Sequence, residues 1–590
     1  MALALPSARL RVRSNRAVFA PLSRIHSVVG VCSKGPFTPT RVADTDALTS
    51  TFGFGPAVKA LAYEMGKTGA PGIMRRILPD PVAASVGELV LDDWDGAAAP
   101  AISGTANNHY HIMWETVVAG ELNTATGRYS LDGGETWTTA ATVPTNGIVA
   151  LGGSGLTATF SAGTGDDVGG DFSFEAFPAA QAVLSVVATR VGSSTSVVTI
   201  TGTPLDAYEI VLETLAGGTV GTAGIVLRYS LDGGRTFTKP IRLGTANTLQ
   251  INDGTEDSGL DFAFAAGTLE TGDGFASGTT EPAIAASDVV TALGQLDALA
   301  VNWRFAHIVG AVNATAAGTI GAEFATFAAD ELSNARFAWA LMSARDRRRL
   351  ETETAWENAL DDDFDGLENA RVAVGSGYAR ITCPITRRRN RRPVAWIAVP
   401  ELLRRPIEED LGRKASGALS TDVAIYEDGE RIEHDARVSQ TLQGARFVTL
   451  RTFKRSGDSV FFTRGSTFDA EGGLEGYIAR RQVLDVASDI FAQVLEEQLM
   501  DGVEVNASDE ENPGAITEAN AARIDREVET AIRRQLEGKF SGLSVRTSRT
   551  TVLAAGVRLP CKVSIVGLEY LEQLDGDIGF VTPELVALAA

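Results

Sequence analysis

The chain repeats itself. The stretch from Ile102 to Trp137, ISGTANNHYHIMWETVVAGELNTATGRYSLDGGETW, returns from Ile200 to Phe237 as ITGTPLDAYEIVLETLAGGTVGTAGIVLRYSLDGGRTF. Each copy runs on to a second match, GLTATFSAGT from Gly155 and GLDFAFAAGT from Gly259. A period of about 100 residues marks a duplicated domain rather than a short solenoid unit. Within each copy, short runs rich in Val, Ile, Thr, Phe and Tyr alternate with Gly/Asp/Thr turns. That is the pattern of an all-β sandwich of immunoglobulin-like size. Two tandem β-sandwich repeats are expected, at 81–180 and 181–283.

Both copies carry RYSLDGG. Ser130 to Trp137 reads S-x-D-x-G-x-T-W, the Asp box found in sialidase propellers, and Ser230 to Phe237 repeats it. The motif is physically a hairpin, in which Asp accepts backbone N–H bonds and glycines supply positive φ. A propeller needs such motifs several times over, at blade spacing. Two copies favour a spacer or decoration, with carbohydrate adhesion as the alternative.

The repeats also hold most of the charge. Of 74 acidic and 52 basic residues, net −22, residues 81–283 carry 23 acidic and 6 basic, a net of −17. Residues 1–40 carry six basic side chains (Arg9, Arg11, Arg13, Arg16, Arg24, Lys34) and no acidic one. Such acidity argues against direct nucleic-acid binding. Cys32, Cys383 and Cys561 lie far apart, so neither a disulfide framework nor a structural zinc site is expected. No run of about 18 apolar residues predicts a membrane span, and the amino terminus lacks a signal-peptide core.

The flanks alternate between strand-like and helix-like segments. Ser27–Cys32, Gly72–Ile77, Phe305–Val312, Arg336–Met342 and Pro393–Val399 read as buried strands. Helices are expected at Pro56–Gly66, 319–333, 350–360 and 400–414. This alternation predicts an α/β domain at 26–80 and 284–414, interrupted by the repeats. Further on, Gly444–Phe453 pairs with Ser459–Thr463. Val483–Met500 is a helix with Leu499 on its apolar stripe, Thr517–Leu536 is a second helix, and strands follow near 543–553 and 557–571.

The charged clusters have bland readings. Arg387–Arg392 (RRRNRR) is expected to be a solvated loop or a subunit-contact patch, bounded by Pro384 and Pro393. Asp361–Asp365 reads as a helix end, since it lacks the EF-hand glycine and distal Glu. His109 and His111 share a strand face without a third ligand. No GxSxG, phosphate loop or nucleophile–base pair occurs. The expectation is therefore no enzyme, no metal and no cofactor.

The order of motifs resembles the tail sheath proteins of contractile phages and related injection machines. That family's amino-terminal pattern GxxxKGPxxxPxxV…FG is matched by Gly30, Lys34, Gly35, Pro36, Pro39, Val42, Phe52 and Gly53. The start of its carboxy-terminal helix is matched by Arg480, Arg481 and Val483. The N-x-I-R segment of many sheaths is here Val448-Thr449-Leu450-Arg451. The resemblance covers about 26–80 and 284–571, and the repeats lie outside it.

The resemblance implies an α+β multidomain fold: an α/β sheath core with two inserted immunoglobulin-like repeats, and a tube-facing domain at 415–571. It implies a virion tail protein, assembled in the host cytoplasm. Its partners would be copies of itself in stacked hexameric rings, a tail tube protein, and baseplate and tail terminator proteins. Extended termini would act as arms that donate strands to neighbours, with no membrane insertion. An arm at 1–25 would use Arg9, Leu10, Arg11, Val12 and Arg13, whose alternation has period 2. An arm at 572–590 would use Phe580, Val581, Leu585 and Val586. The tube-facing helix would present Arg523, Arg526, Arg533 and Arg534. The repeats would point outward, and their removal with a short linker should leave assembly intact. The alternative is a β-sandwich surface or cell-wall carbohydrate-binding adhesin.

Overall fold

The computed structural model describes residues 25–572 except 80–84, 87–88, 107–109, 135, 164–165, 178–182, 192, 280, 298–302, 311–313, 334–336, 348–350, 428–429, 432–433, 438–439, 471–472, 509–510 and 554–556. The expected arm residues Arg9, Leu10, Arg11, Val12, Arg13, Phe580, Val581, Leu585 and Val586 lie outside the described residues. The chain divides into two compact units. Among the described residues, one spans 25–406 and Leu411–Ile478, and the other holds Ile407–Asp410 and the residues from Ala479 to 572.

The larger unit is built on a six-stranded sheet. In chain order its elements are β1 (Ser27–Val31), β2 (Thr40–Val42), α1 (Thr45–Phe52), α2 (Pro56–Thr68) and β3 (Gly72–Ile77). After the repeats come α3 (Ala286–Asp297), β4 (Phe305–Val309), α4 (Ala314–Ser333), β5 (Trp339–Ser343), α5 (Glu353–Asp363) and β6 (Val372–Gly375). The strand order is β2-β3-β1-β4-β5-β6, parallel except for β2. This is a doubly wound sheet. β1, β4 and β5 are buried along their whole length, as parallel strands covered on both faces must be. Side chains alternate between two cores. Val28, Met74, Phe305, Trp339 and Ala373 face the core that contains Leu61 and Ile397. Val29, Ile73, Ile308, Ala340 and Val374 face Leu293, Phe324 and Leu360.

The sheath-like motif residues Gly30, Lys34, Phe52 and Gly53 shape the packing around β1 and α1. A Cβ on Gly30 would lie 2.6 Å from the Val309 carbonyl oxygen and 2.9 Å from Ala57 Cβ, so only glycine lets α2 approach. Phe52 is fully buried, and the Lys34 N–H donates to its carbonyl. Gly53 has φ 69°, ending α1.

One segment departs from expectation. Pro393–Val399 is not a strand; Val394–Arg404 is a helix, α6, and Pro393 sits at its N-cap. A short unbroken apolar run fits a buried helix as well as a buried strand. Of the preceding arginine segment, Arg387 and Arg388 lie in the connection expected as a loop, but Arg389–Arg392 are strand. β8 (Arg389–Pro393) pairs antiparallel with β7 (Tyr378–Thr382).

Each repeat is antiparallel and all-β, with two main sheets sharing a core. In the second repeat, Val183–Val191, Gly274–Thr279, Glu209–Ala216, Val226–Ser230 and Ile241–Arg242 form one sheet. Val198–Gly202, Glu256–Phe264 and Thr248–Asp253 form the other. Leu212 and Leu227 from the first sheet pack with Ile251, Leu260 and Phe262 from the second. The first repeat uses the matching strands, around Ile112, Trp114, Leu156, Phe160 and Phe172. The domain boundary expected at 415 also moves. Leu419, Val423, Ile425, Val448 and Phe462 are buried in the α/β core, so the smaller unit resumes only at Ala479.

Candidate assembly interface

The smaller unit contains α7 (Ile478–Glu497, from Ala479), α8 (Glu518–Leu536), β9 (Gly542–Thr547) and β10 (Cys561–Val566). The α8 stripe of Ala521, Ile524, Val528, Ala531, Ile532 and Leu536 is buried. Asp525 ties the helix to the ribbon, accepting from Thr547 N and Oγ1 at 2.7 Å each. Burial pushes its carboxyl up, but the Thr547 and Arg549 hydrogen bonds outweigh that and hold it below its usual value. β9 and β10 pair only with each other among the described residues. Leu543, Val545, Val563 and Ile565 are half-buried on one face, whereas Ser544, Arg546, Lys562 and Ser564 are exposed on the other. Both outer strand edges are thus left without a partner strand.

The four arginines expected on α8 split into pairs. Arg523 donates to Gln498 Oε1 at 2.9 Å and to Glu527, and Arg533 pairs with Glu529 at 2.8 Å. Arg526 and Arg534 instead line a cavity of about 360 Å³ with Val494, Glu497 and Ala531. Leu499, expected on the buried stripe, is 62% exposed: α7 ends at Glu497, and Met500 turns away at φ 70°.

In the larger unit, the second repeat is clasped to the α/β core by buried charges. Arg392 on β8 grips Asp206 with two 2.6 Å hydrogen bonds and reaches Glu281 at 2.8 Å. Lys59 on α2 bonds Asp206 and lies 2.7 Å from Asp253, which also pairs with Arg388. Arg380 on β7 meets Glu209 at 3.0 Å. Burial opposes ionisation of Asp206, but Arg392 and then Lys59 hold its carboxyl far below the ordinary range. Glu281 behaves in the opposite way. Its burial is not fully offset by Arg392, and the nearby Asp206 adds repulsion, so its carboxyl is pushed up to about 7. Sequence reasoning missed this clasp. Its signal was a difference between the copies: Asn108 and His111 stand in the first repeat where Asp206 and Glu209 stand in the second.

The Asp boxes are turn structures. Asp132 accepts from Ser130 Oγ at 2.6 Å, Thr136 N at 2.8 Å and Thr136 Oγ1 at 2.5 Å, which bring its carboxyl down to about 2. Asp232 repeats these contacts with Ser230 and Thr236 at the same distances. Gly133 and Gly233 have φ 73° and 76°. Arg128 covers Trp137, and Arg228 covers Phe237.

The architecture is thus a doubly wound α/β core carrying two all-β repeats, followed by a helix-and-ribbon unit. Residues 17–466 match the family described as DUF2586, N-terminal domain, and the chain belongs to this family. No curated protein matches it. Among solved structures it is similar to the sheath tail protein Lin1278 of Listeria innocua, with 10% identity, 92% of this chain and 95% of that one covered, and a TM-score of 0.36. It is also similar to a chain of the contracted PVC sheath complex of an extracellular contractile injection system (12% identity, 50% and 75% covered, TM-score 0.35). A third is a chain of the anti-feeding prophage baseplate (12%, 52% and 75%, 0.34). Among the described residues, no helix is long and apolar enough to cross a membrane.

Proposed function

We propose that the chain is a structural, non-enzymatic subunit of a contractile tail sheath. The observation that carries this reading is the β9–β10 ribbon. A two-stranded ribbon alone is marginal in water, and this one offers two strand edges without a partner strand among the described residues. Strands donated by neighbouring subunits would complete it through backbone hydrogen bonds. The termini supply such strands: 8–13 alternates Arg with apolar residues, and 578–590 is largely apolar.

On this reading the subunits stack as hexameric rings around a tail tube, and α8 with Arg523, Arg526, Arg533 and Arg534 faces that tube. Baseplate and terminator proteins bind the ends of the sheath. The assembly takes place in the host cytoplasm and becomes the virion tail. Contraction repacks subunit interfaces while the donated arms keep neighbours linked. The immunoglobulin-like repeats lie outward, where their acidity favours solubility. Deleting residues 1–20 should abolish polymerisation and leave the circular dichroism of the subunit near native. Unimpaired polymerisation of the truncated chain would overturn the arm assignment.

A further inference from the structure

Glu353 and Glu357 lie one helical turn apart on α5, so their side chains leave the same helix face. His434 reaches them from a segment far along the chain. Its Nδ1 lies 3.0 Å from Glu353 Oε1 and 3.3 Å from Glu357 Oε1. His434 and Glu357 are buried, while the Glu353 side chain is 22% exposed and leaves access from solvent.

The two His434 contacts are longer than those of a close ion pair. Charge-assisted N–H···O contacts run about 2.7–2.9 Å, and Glu64 in this same chain meets His26 and His307 at 2.5 Å each. The other nitrogen of His434, Nε2, is buried with no hydrogen-bond partner among the described residues. His434 Nδ1 and one carboxylate oxygen each of Glu353 and Glu357 converge from two segments of the chain, where a cation can be held between them. The spacings fit one. Tetrahedral coordination with bonds of about 2.0–2.1 Å separates neighbouring donors by about 3.3 Å.

We propose that Glu353, Glu357 and His434 form a divalent-metal site that takes Zn²⁺. One imidazole and two carboxylates are a donor set suited to zinc, and three protein donors leave a fourth position for water. The surroundings hold the donors in place. Arg431 pairs with Glu353 Oε2, and the Trp356 ring meets His434 edge-on at 5.6 Å. The site joins α5 to the segment around His434, two parts of the larger unit far apart in sequence.

The test uses the full-length protein stripped with EDTA and dialysed. Zinc titration followed by calorimetry should give one site per chain. That site should be lost in Glu357→Gln and in His434→Ala and kept in His111→Ala. Should either variant fail to fold, Co²⁺ added to the wild-type protein decides, through the visible absorption of four-coordinate cobalt and its displacement by Zn²⁺. Absence of stoichiometric binding, or undiminished binding in folded Glu357→Gln and His434→Ala proteins, would overturn the proposal.

Discussion

Arg392 and Asp206 are 186 residues apart in the chain, yet they form a bidentate, fully buried ion pair with both bonds at 2.6 Å. Arg392 belongs to the α/β core and Asp206 to the second repeat, so the acidic insertion is clasped to its host rather than merely tethered.

Removing one partner of a buried pair strands the other charge. Arg392→Ala or Asp206→Ala should therefore cost about 3–5 kcal/mol in a denaturant titration. Replacing both, as Arg392→Met with Asp206→Leu, should recover much of that loss. The same logic revises the expectation that 81–283 can be excised freely. Excision removes Asp206, Asp253 and Glu281 and leaves Lys59 and Arg392 unpaired. An excised chain should stay soluble only when Lys59 and Arg392 are replaced as well. A well-behaved excision without those replacements would show that the clasp is dispensable.

The clasp has a pH signature. Glu281 is raised from 4.5 to about 7 in the folded chain, so unfolding releases its proton first. Its contribution favours the folded state at low pH and is lost as pH rises from about 4.5 to 7. Asp206 runs the other way, since its depressed carboxyl contributes stability above its ordinary 3.8 that is lost on strong acidification. Glu281→Gln should match the wild type near pH 4.5 and exceed it in thermal stability at pH 8. Parallel stability curves for the two proteins would contradict the assignment.

Two glycines should respond with opposite signs. Gly30→Ala drives a methyl into Val309 and Ala57 and should cost about 1–3 kcal/mol. Gly66→Ala, on an exposed face of α2 with nothing within 4 Å, should gain about 0.5–1 kcal/mol. Denaturation midpoints of the two variants check both values.

How much of this was legible in the sequence depended on range. Ser27–Val31 is readable because a doubly covered parallel strand is a nearly unbroken apolar run, and Gly72–Ile77 keeps that cue at Ile73, Met74 and Ile77 despite Arg75 and Arg76. The same cue misreads Val394–Arg404, whose apolar run is helical. The RRRNRR cluster looks solvated because local composition does not reveal that β8 pairs with β7 and buries Arg392 against Asp206. Such pairings, and the meeting of Glu353 with His434, depend on contacts far apart in the chain, where neither periodicity nor motif spacing reaches.

The central claim is that this chain polymerises as a sheath. Negative-stain electron microscopy of the purified full-length protein tests it most directly. Rings or hollow tubes of stacked subunits are the predicted result. Monodisperse monomers persisting at high protein concentration would contradict it.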